Sequence, residues 1–524
     1  MLHALLAGLL VAQPVPPSTG QTAPSPSPSA SPGVLSVSPA TVRLNPAQQR
    51  TLQVSGASGQ VSATAEQRLV TVAVDPASGS IVVTATQATG NDIIHVVDAS
   101  GAVADVPVRI AFDAGTIVSQ TTLQVTGAPA GDAWLASAIR TFVLRLTPPQ
   151  SGARTTVGDP QPATQSMQPG TQATYSVPVT VGGDPRYFDV AGSTQVGVQN
   201  VAVPPFSPDV LFYDDDPEHV LGNGVLFSGE VQSGRPARLY YYHDDALDPH
   251  RIVVLLSTTA ENPASVQIID APAGPNIDVM SVGHSVSRTV LDVQPHNEGV
   301  VAEVSAARPF VLRDELLTAR QGLAGSIDFN VLSGGPVTVT VASIGPVDDA
   351  RSVLSLAPLP RDGHHRSGTF VLGTYGNSTL QYVAGGPDAT VTIGDREPAP
   401  QNVDPAADGR DYGDYGVLHR IDIALSNPAA QPATAYVYLR PIVGIDRASF
   451  LVDGALVELG CVRRPVPYQV AAIALAPNAQ RTSTVLTMTD GGSFFPVEIG
   501  VTATPPIPQA PPVNAPDGCF PKPQ

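Results

Sequence analysis

Period-two alternation is the feature that most limits what this chain can fold into. In "VTVAVD" (70–75), "IVVTAT" (81–86) and "ADVPVRIAF" (104–112), β-branched or apolar residues recur at every second position. That is the pattern of strands with one buried face. The runs are short, and 47 Gly and 53 Pro in 524 residues punctuate them, as many strands joined by turns require. One segment breaks the pattern. In "DAWLASAIRTFVLRLTPP", Trp134, Leu135, Ala138, Ile139, Phe142 and Leu146 recur at helical spacing, with Asp132 placed to cap the start and Pro148 and Pro149 to stop the helix. Trp134 lies on its apolar face and is expected in a core rather than under a sugar ring. The expected fold class is mainly β: tandem β-sandwich domains with one small α+β module.

Composition removes several function classes. Charged residues are 14% and the net charge is −18, from 27 basic against 45 acidic groups, with a single lysine, Lys522. Phosphate backbones and anionic membranes both demand clustered basic residues, so nucleic acid and a polybasic membrane contact are not expected. Residues 1–12 carry an apolar run from Ala4 to Ala12 that resembles a short secretory signal, although a basic leading region is missing. Residues 13–33, "QPVPPSTGQTAPSPSPSASPG", form a Pro/Ser spacer with no means of building a core. No other apolar run approaches the roughly 20 residues of a membrane helix. An extracytoplasmic location follows, and there Cys461 and Cys519 would pair, tying the Pro-rich tail 506–524 to the last domain.

From Val34 the order "SVSPATVRL", "RTLQVSG", "VTVAVDPASGSIVVTA", "TGNDIIHVVDASG", "VPVRIAF" resembles a bacterial immunoglobulin-like domain of the group repeated in surface adhesins. The likeness covers residues 34–113 and implies a β-sandwich used as a stalk, with no catalytic residues. The module is expected to span 34–114, with the α+β module at 115–205. The remainder looks duplicated: "HRIVVLLSTTAENPASVQI" begins at His250 and "HRIDIALSNPAAQPATAYV" at His419, 169 residues on, and "SIDFNVLSGGPVTVTVAS" and "STVLTMTDGGSFFPVEIGVTA" repeat a strand, a Gly-Gly hairpin and a strand. Two β-sandwich repeats, 206–348 and 349–505, are the expectation.

Chemistry is densest in "LFYDDDPEHV" (211–220) and "LYYYHDDALDPHRI" (239–252). Asp214, Asp216, His219, His243 and Asp245 have the donor types of a Ca²⁺, Mn²⁺ or Zn²⁺ site, if their strands form a hairpin. Their spacing matches no established metal motif. Adjacent acids also point to opposite faces of a strand, so 214–216 cannot all meet one ion. The second repeat carries a similar acidic, Tyr-bearing stretch, in which Asp404, Asp408, Asp411 and Asp414 are a weaker Ca²⁺ candidate. Recurrence with altered spacing fits a surface loop better than a catalytic constellation. Tyr240 and Tyr242 should lie on the face opposite Tyr241. His250 and His419, at the strand starts, suit structural roles, and His364 and His365 suit a solvated loop. "VGHSVS" (282–287) is a near miss to the G-x-S-x-G elbow: its last residue is not Gly, and no helix-forming pattern is expected after it.

These readings favour an exported, non-enzymatic structural or adhesive β protein of a bacterial envelope or secreted fraction. It would have no catalytic residues and no cofactor beyond Ca²⁺ in its loops, and would present those loops to a protein or surface-glycan partner. The alternative is a secreted carbohydrate- or metal-binding protein or hydrolase with its site at residues 211–250.

Overall fold

The structure is a computed structural model and describes residues 34–244, 247–364, 366–394, 401–403, 409–508 and 519. It is mainly β and divides into two compact units. The first comprises Met1–Gly115, Pro149–Arg154 and Gly182–Val190. It contains two four-stranded sheets: Ser36–Ser38, Gln49–Ser55, Ile81–Ala85 and Val70–Val74 in one, and Val42–Leu44, Val103–Ile110, Gly90–Val97 and Ser62–Ala65 in the other. Leu52, Ile81 and Val83 of the first sheet share a core with Ile94, Val106 and Val108 of the second. Two sheets interleaved in this chain order, with Val42–Leu44 parallel to Val103–Ile110, make an immunoglobulin-like sandwich, as the alternation implied.

The second unit comprises Thr116–Pro148, Thr155–Val181 and Ala191–Gln524. It is built on an eleven-stranded sheet whose middle runs Gly299–Val304, Ala264–Asn276, Gly322–Ser333, Ala237–Asp244, Val210–Asp214 and Ser367–Val371. This sheet crosses the positions 205/206 and 348/349, where the sequence suggested domain limits. Its inner face packs Leu239, Tyr241, Ile327 and Phe329 against Val254, Leu256, Val339 and Val341 of a four-stranded sheet. Each such fully buried side chain is worth about 1.5–3 kcal/mol. A further five-stranded and four-stranded pair encloses Ile421, Ile423, Val437, Leu439, Phe450 and Ile499.

The expected helix forms as α1, Asp132–Leu146, burying Leu135, Ile139 and Val143. Asp132 is its first residue rather than its cap; the cap is Gly131, whose amide donates to Glu298 Oε1 at 2.6 Å. Trp134 is half-buried and packs against the buried cluster of Phe206, Ile269 and Val293.

A second helix, α2, Val279–Val293, corrects the reading of 282–287. The period was present in Val279, Val282, Val286, Val290 and Val293, but five valines, three serines and a glycine have low helix propensity and hid it. Tertiary burial and Asp278, which accepts from the Ser281 amide at 3.2 Å, supply what propensity lacks. "VGHSVS" is therefore mid-helix, which is not the strand–turn–helix of a nucleophile elbow.

The two blocks of the duplication behave differently. His250–Ser257 and Leu418–Ser426 are each followed by a strand in the facing sheet, so the first blocks are equivalent. In the second blocks, Gly322–Ser333 pairs with Ala264–Asn276, whereas Gln480–Met488 pairs with Leu418–Ser426. Neither Gly-Gly stretch is a hairpin, because each leads from one sheet to another.

Candidate functional site

Val210–Asp214 runs parallel to Ala237–Asp244, setting Tyr213 beside Tyr240 and Asp214 beside Tyr241. On its other side Ser367–Val371 runs antiparallel, and the Asp215 amide donates to the Arg366 carbonyl at 3.0 Å. This pairing, across some 150 residues of sequence, brings a basic side chain to the acidic run. The tyrosines alternate as expected, Tyr241 into the sandwich core and Tyr240 and Tyr242 to the opposite face. That face is not exposed: α2 covers it through Val282, Val286 and Val290, and Tyr415 from the second acidic stretch packs on it.

Of the five metal candidates, the four that are described do not gather. The Asp214 carboxylate meets His243 Nε2 at 3.2 Å, and His243 Nδ1 donates to the Pro217 carbonyl at 3.0 Å, both side chains fully buried. Burial works against protonation of His243, but Asp214 outweighs it and the imidazole is raised above its ordinary value. Asp216 accepts from the Asp362 amide at 2.7 Å, and His219 Nδ1 lies 2.5 Å from Asp244 Oδ1. Asp245 lies outside the described residues, as do Asp404, Asp408 and His365. Asp414 accepts from the Tyr375 hydroxyl at 2.8 Å and the Gly394 amide at 3.0 Å. Among the described residues no three His, Cys, Asp or Glu side chains are placed to hold one metal ion. The solvated acidic loop expected from recurrence is also corrected: Asp214, Asp215, Asp216, Asp411 and Asp414 are all buried, because sheet pairing and α2 close over them.

What these stretches do form is a cleft of about 370 Å³. Tyr213, Tyr240, Tyr242 and Tyr415 line it with Asp215, Glu218, Asp244 and Arg366, and Val279 and the loop Gly491–Phe494 complete the wall. The Tyr415 ring stacks 6.3 Å from Tyr213 and 6.1 Å from Tyr240. It reaches them because Gly416 has φ +83° and a Cβ there would meet Tyr240 Cβ at 2.6 Å, so no other residue fits. Arg366 ion-pairs with Glu218, and its Nε lies 3.5 Å from Asp215 Oδ2, which accepts from the Tyr213 hydroxyl at 3.1 Å. Burial pushes the Asp215 carboxyl well above its ordinary value, and Arg366 only partly offsets this. Burial likewise raises the Tyr213 and Tyr240 phenols, with neighbouring carboxylates adding to it, so both stay protonated donors. Among the described residues, three polar atoms buried within these lining side chains have no hydrogen-bond partner: Tyr240 Oη, Asp215 Oδ1 and Arg366 Nε.

The loop Gly491–Phe494 is anchored from behind. Asp490 accepts from His284 Nδ1 at 2.7 Å and from the Ser287 hydroxyl, both on α2, and His284 Nε2 faces Glu458 at 3.1 Å. Ser, His and Asp meet here, but Ser and His both address the carboxylate and the hydroxyl is buried, so no activated nucleophile results. Cys461 and Cys519 are disulfide-bonded, and Arg447 joins the Cys519 sulfur (3.1 Å) to Asp278 at the start of α2 (3.0 Å). His250 Nδ1 donates to the Asp248 carbonyl at 2.7 Å, whereas His419 is buried and driven by that burial down to about 4.

Sequence reasoning missed Arg366, Tyr213 and Gly491–Phe494. Arg366 follows His364 and His365 in "RDGHHRSG", and only strand pairing reveals its partner. Tyr415 left a signal, since tyrosine recurs in both acidic stretches.

No family model matches the chain, and no curated protein matches it. Solved structures give faint likenesses. The fibronectin(III)-like modules of CbhA from Clostridium thermocellum are 12% identical, covering 33% of this chain and 98% of theirs, at a TM-score of 0.16. SGBP-B of the Bacteroides ovatus mixed-linkage glucan utilization locus, solved with a mixed-linkage heptasaccharide, is 12% identical over 58% of this chain and 72% of its own, at 0.14. InvD of Yersinia pseudotuberculosis is 12% identical over 59% and 97%, also at 0.14.

Proposed function

We propose that this chain is an exported, non-enzymatic bacterial protein that holds a small-molecule-binding cleft on a rigid multidomain β frame at the cell envelope or in the secreted fraction. The observation that carries the reading is one 370 Å³ cleft lined by four tyrosines together with Asp215, Glu218, Asp244 and Arg366. The volume lies within the usual range of ligand pockets, and two or three convergent polar groups among aromatic walls are their usual lining. The signal-like start and the disulfide support export. The adhesin-like pattern of 34–113 supports a stalk role for the first sandwich.

Hydrogen exchange tests the binding reading. The full chain is compared with and without the small-molecule fraction of culture medium, at the amides of Gly491–Phe494 and of residues 213–218. Slowed exchange confined to these segments is the expected result. Unchanged exchange there refutes a binding cleft.

A further inference from the structure

We infer that the Cys461–Cys519 disulfide is a reactive bond, a site of thiol–disulfide exchange with small thiols, at which the attacking thiolate enters at Cys461 and Cys519 leaves. Position argues first. Cys461 belongs to Ala455–Arg463, the edge strand of the five-stranded sheet, and is partly exposed, whereas Cys519 is 4% exposed. The pairing with Ile445–Val452 holds at Asp446–Val462 and resumes at Ala448–Leu459, so Gly460 and Cys461 together face Arg447 alone. Such a bulge re-aims a side chain out of the sheet's ordinary alternation. Cys461 is therefore the half of the bond that a thiol arriving from solvent can reach.

Charge argues second. Arg447 Nε donates to Cys519 Sγ at 3.1 Å, and Arg463 Nη2 donates to the Cys519 carbonyl at 3.2 Å. In a chain with 27 basic against 45 acidic groups, two guanidinium groups at one cysteine set it apart. A cation beside a sulfur favours its thiolate, and positive surroundings with partial exposure separate reactive cysteines from inert ones. In exchange, the sulfur that better carries the negative charge leaves faster. Exposure directs attack to Cys461 and the Arg447 guanidinium favours departure of Cys519, so the two asymmetries point the same way.

The reductant is a thiol, and the step balances with two of them. The first thiolate attacks Cys461 Sγ. The S–S bond breaks, its electron pair departs on Cys519 Sγ, and a mixed disulfide remains on Cys461. A second thiolate attacks the outer sulfur of that mixed disulfide, which releases the Cys461 thiolate and the small-molecule disulfide. Two thiols are oxidised, one protein disulfide is reduced, and the two protons pass to the cysteines or to solvent.

The test treats the oxidised full chain, under native conditions, with millimolar 2-mercaptoethanol. The reaction is stopped with acid, free thiols are alkylated, and the peptides are mapped by mass spectrometry. The expected early product carries the adduct on Cys461 and the alkyl group on Cys519, while circular dichroism shows the fold retained. Arg447→Met should slow its formation about threefold, because a neighbouring cation makes a thiol at least about tenfold more acidic and exchange rates follow acidity with a slope of about one half. Arg447→Lys should restore part of the rate. An adduct on Cys519, or equal shares on both cysteines, overturns the direction of attack, and this readout needs no variant. No reaction until denaturant is added overturns the site, leaving a bond that is structural only. A folded Arg447→Met chain that reacts as fast as wild type overturns the part given to the guanidinium.

Discussion

Replacing Arg238 of the buried pair Arg238–Asp328 by Met should be costly in a pH-dependent way. The two residues are opposite each other on neighbouring antiparallel strands, bonded at 2.6 and 2.9 Å, and neither is accessible to solvent. Burial raises the Asp328 carboxyl above its ordinary value, and Arg238 only partly offsets this. Without the guanidinium, the carboxylate must either remain charged in a dry site or take up a proton. The first route costs about 3–5 kcal/mol by analogy with broken buried pairs. The second costs roughly 4 kcal/mol at pH 7: three pH units above an ordinary carboxyl, at about 1.4 kcal/mol each. Both routes agree. Below pH 4 the carboxyl is protonated folded and unfolded alike, so only lost hydrogen bonds and packing remain, about 1 kcal/mol. Thermal melts of Arg238→Met against wild type should differ by up to roughly 8 °C at pH 7, at no more than about 2 °C per kcal/mol for a unit this large. The gap should narrow towards pH 4. Arg238→Met with Asp328→Leu should recover most of the loss, because no charge is left behind. A gap equal at both pH values, or a double variant no better than the single, would refute the reasoning. Arg238 also donates to the Gly416 carbonyl at 3.2 Å, so the single variant should loosen Tyr415 and weaken whatever the cleft binds.

Three further outcomes are expected. Gly283→Ala would place a Cβ 1.9 Å from the Gly491 carbonyl oxygen, forcing α2 off the cleft loop; denaturation should show a loss of at least 2 kcal/mol, and a loss under 1 kcal/mol would mean the helix is not pressed there. For His284, burial opposes protonation but Asp490 and Glu458 raise it above its usual value. Its contribution is complete below about pH 6.5 and is lost as pH rises through the raised value, so His284→Gln should lower the melting temperature most near pH 6 and least in alkali. A deficit that grows with pH contradicts this. The disulfide Cys461–Cys519 closes a separation of 58 residues, worth about 4 kcal/mol in the loop-entropy account. Cys461→Ser with Cys519→Ser should lower the melt of the second unit while leaving the immunoglobulin-like sandwich unaffected.

The sandwich class, α1, the packing of Trp134 against a core and the Cys461–Cys519 pairing were all legible, because period, caps and two lone cysteines are local or nearly local signals. α2 was harder to see, since its apolar period was carried by valine, whose strand preference matches the rest of the chain. The candidate site was half legible. The density of Tyr and Asp at 211–220 and 239–252 marked the right place, but the reading expected ligands converging on an ion. The strands instead pair Asp214 with His243 and His219 with Asp244. Arg366, Tyr415 and Gly491–Phe494 join them from stretches of sequence far apart. Only the order of strands in the sheets sets those neighbours, and alternation fixes a residue's face without naming the strand beside it. The duplicated blocks illustrate the limit: similar sequences after Gly325 and Thr482 form strands with different partners.

The cleft wall also stores a cost that can be relieved. Asp446 accepts from the Phe494 amide at 2.8 Å through Oδ1, while its Oδ2 is buried with no hydrogen-bond partner among the described residues. Burial pushes this carboxyl up to about 8, the Phe494 amide resisting. A carboxyl raised in the fold is neutral on both sides of the equilibrium below about pH 4. Its penalty grows as pH climbs from there to about 8 and is constant above. Asp446→Asn keeps the acceptor for Phe494 and removes the titration. It should therefore raise the melting temperature of the second unit at pH 8, do so less at pH 6, and have little effect near pH 4. Since Phe494 keeps its anchor, ligand affinity should be unchanged, which separates the stability role of Asp446 from the binding role of the wall. A variant equally destabilised at all three pH values would mean that the aspartate is satisfied in place, through a water or cation bound at Oδ2, and that its burial is not a cost.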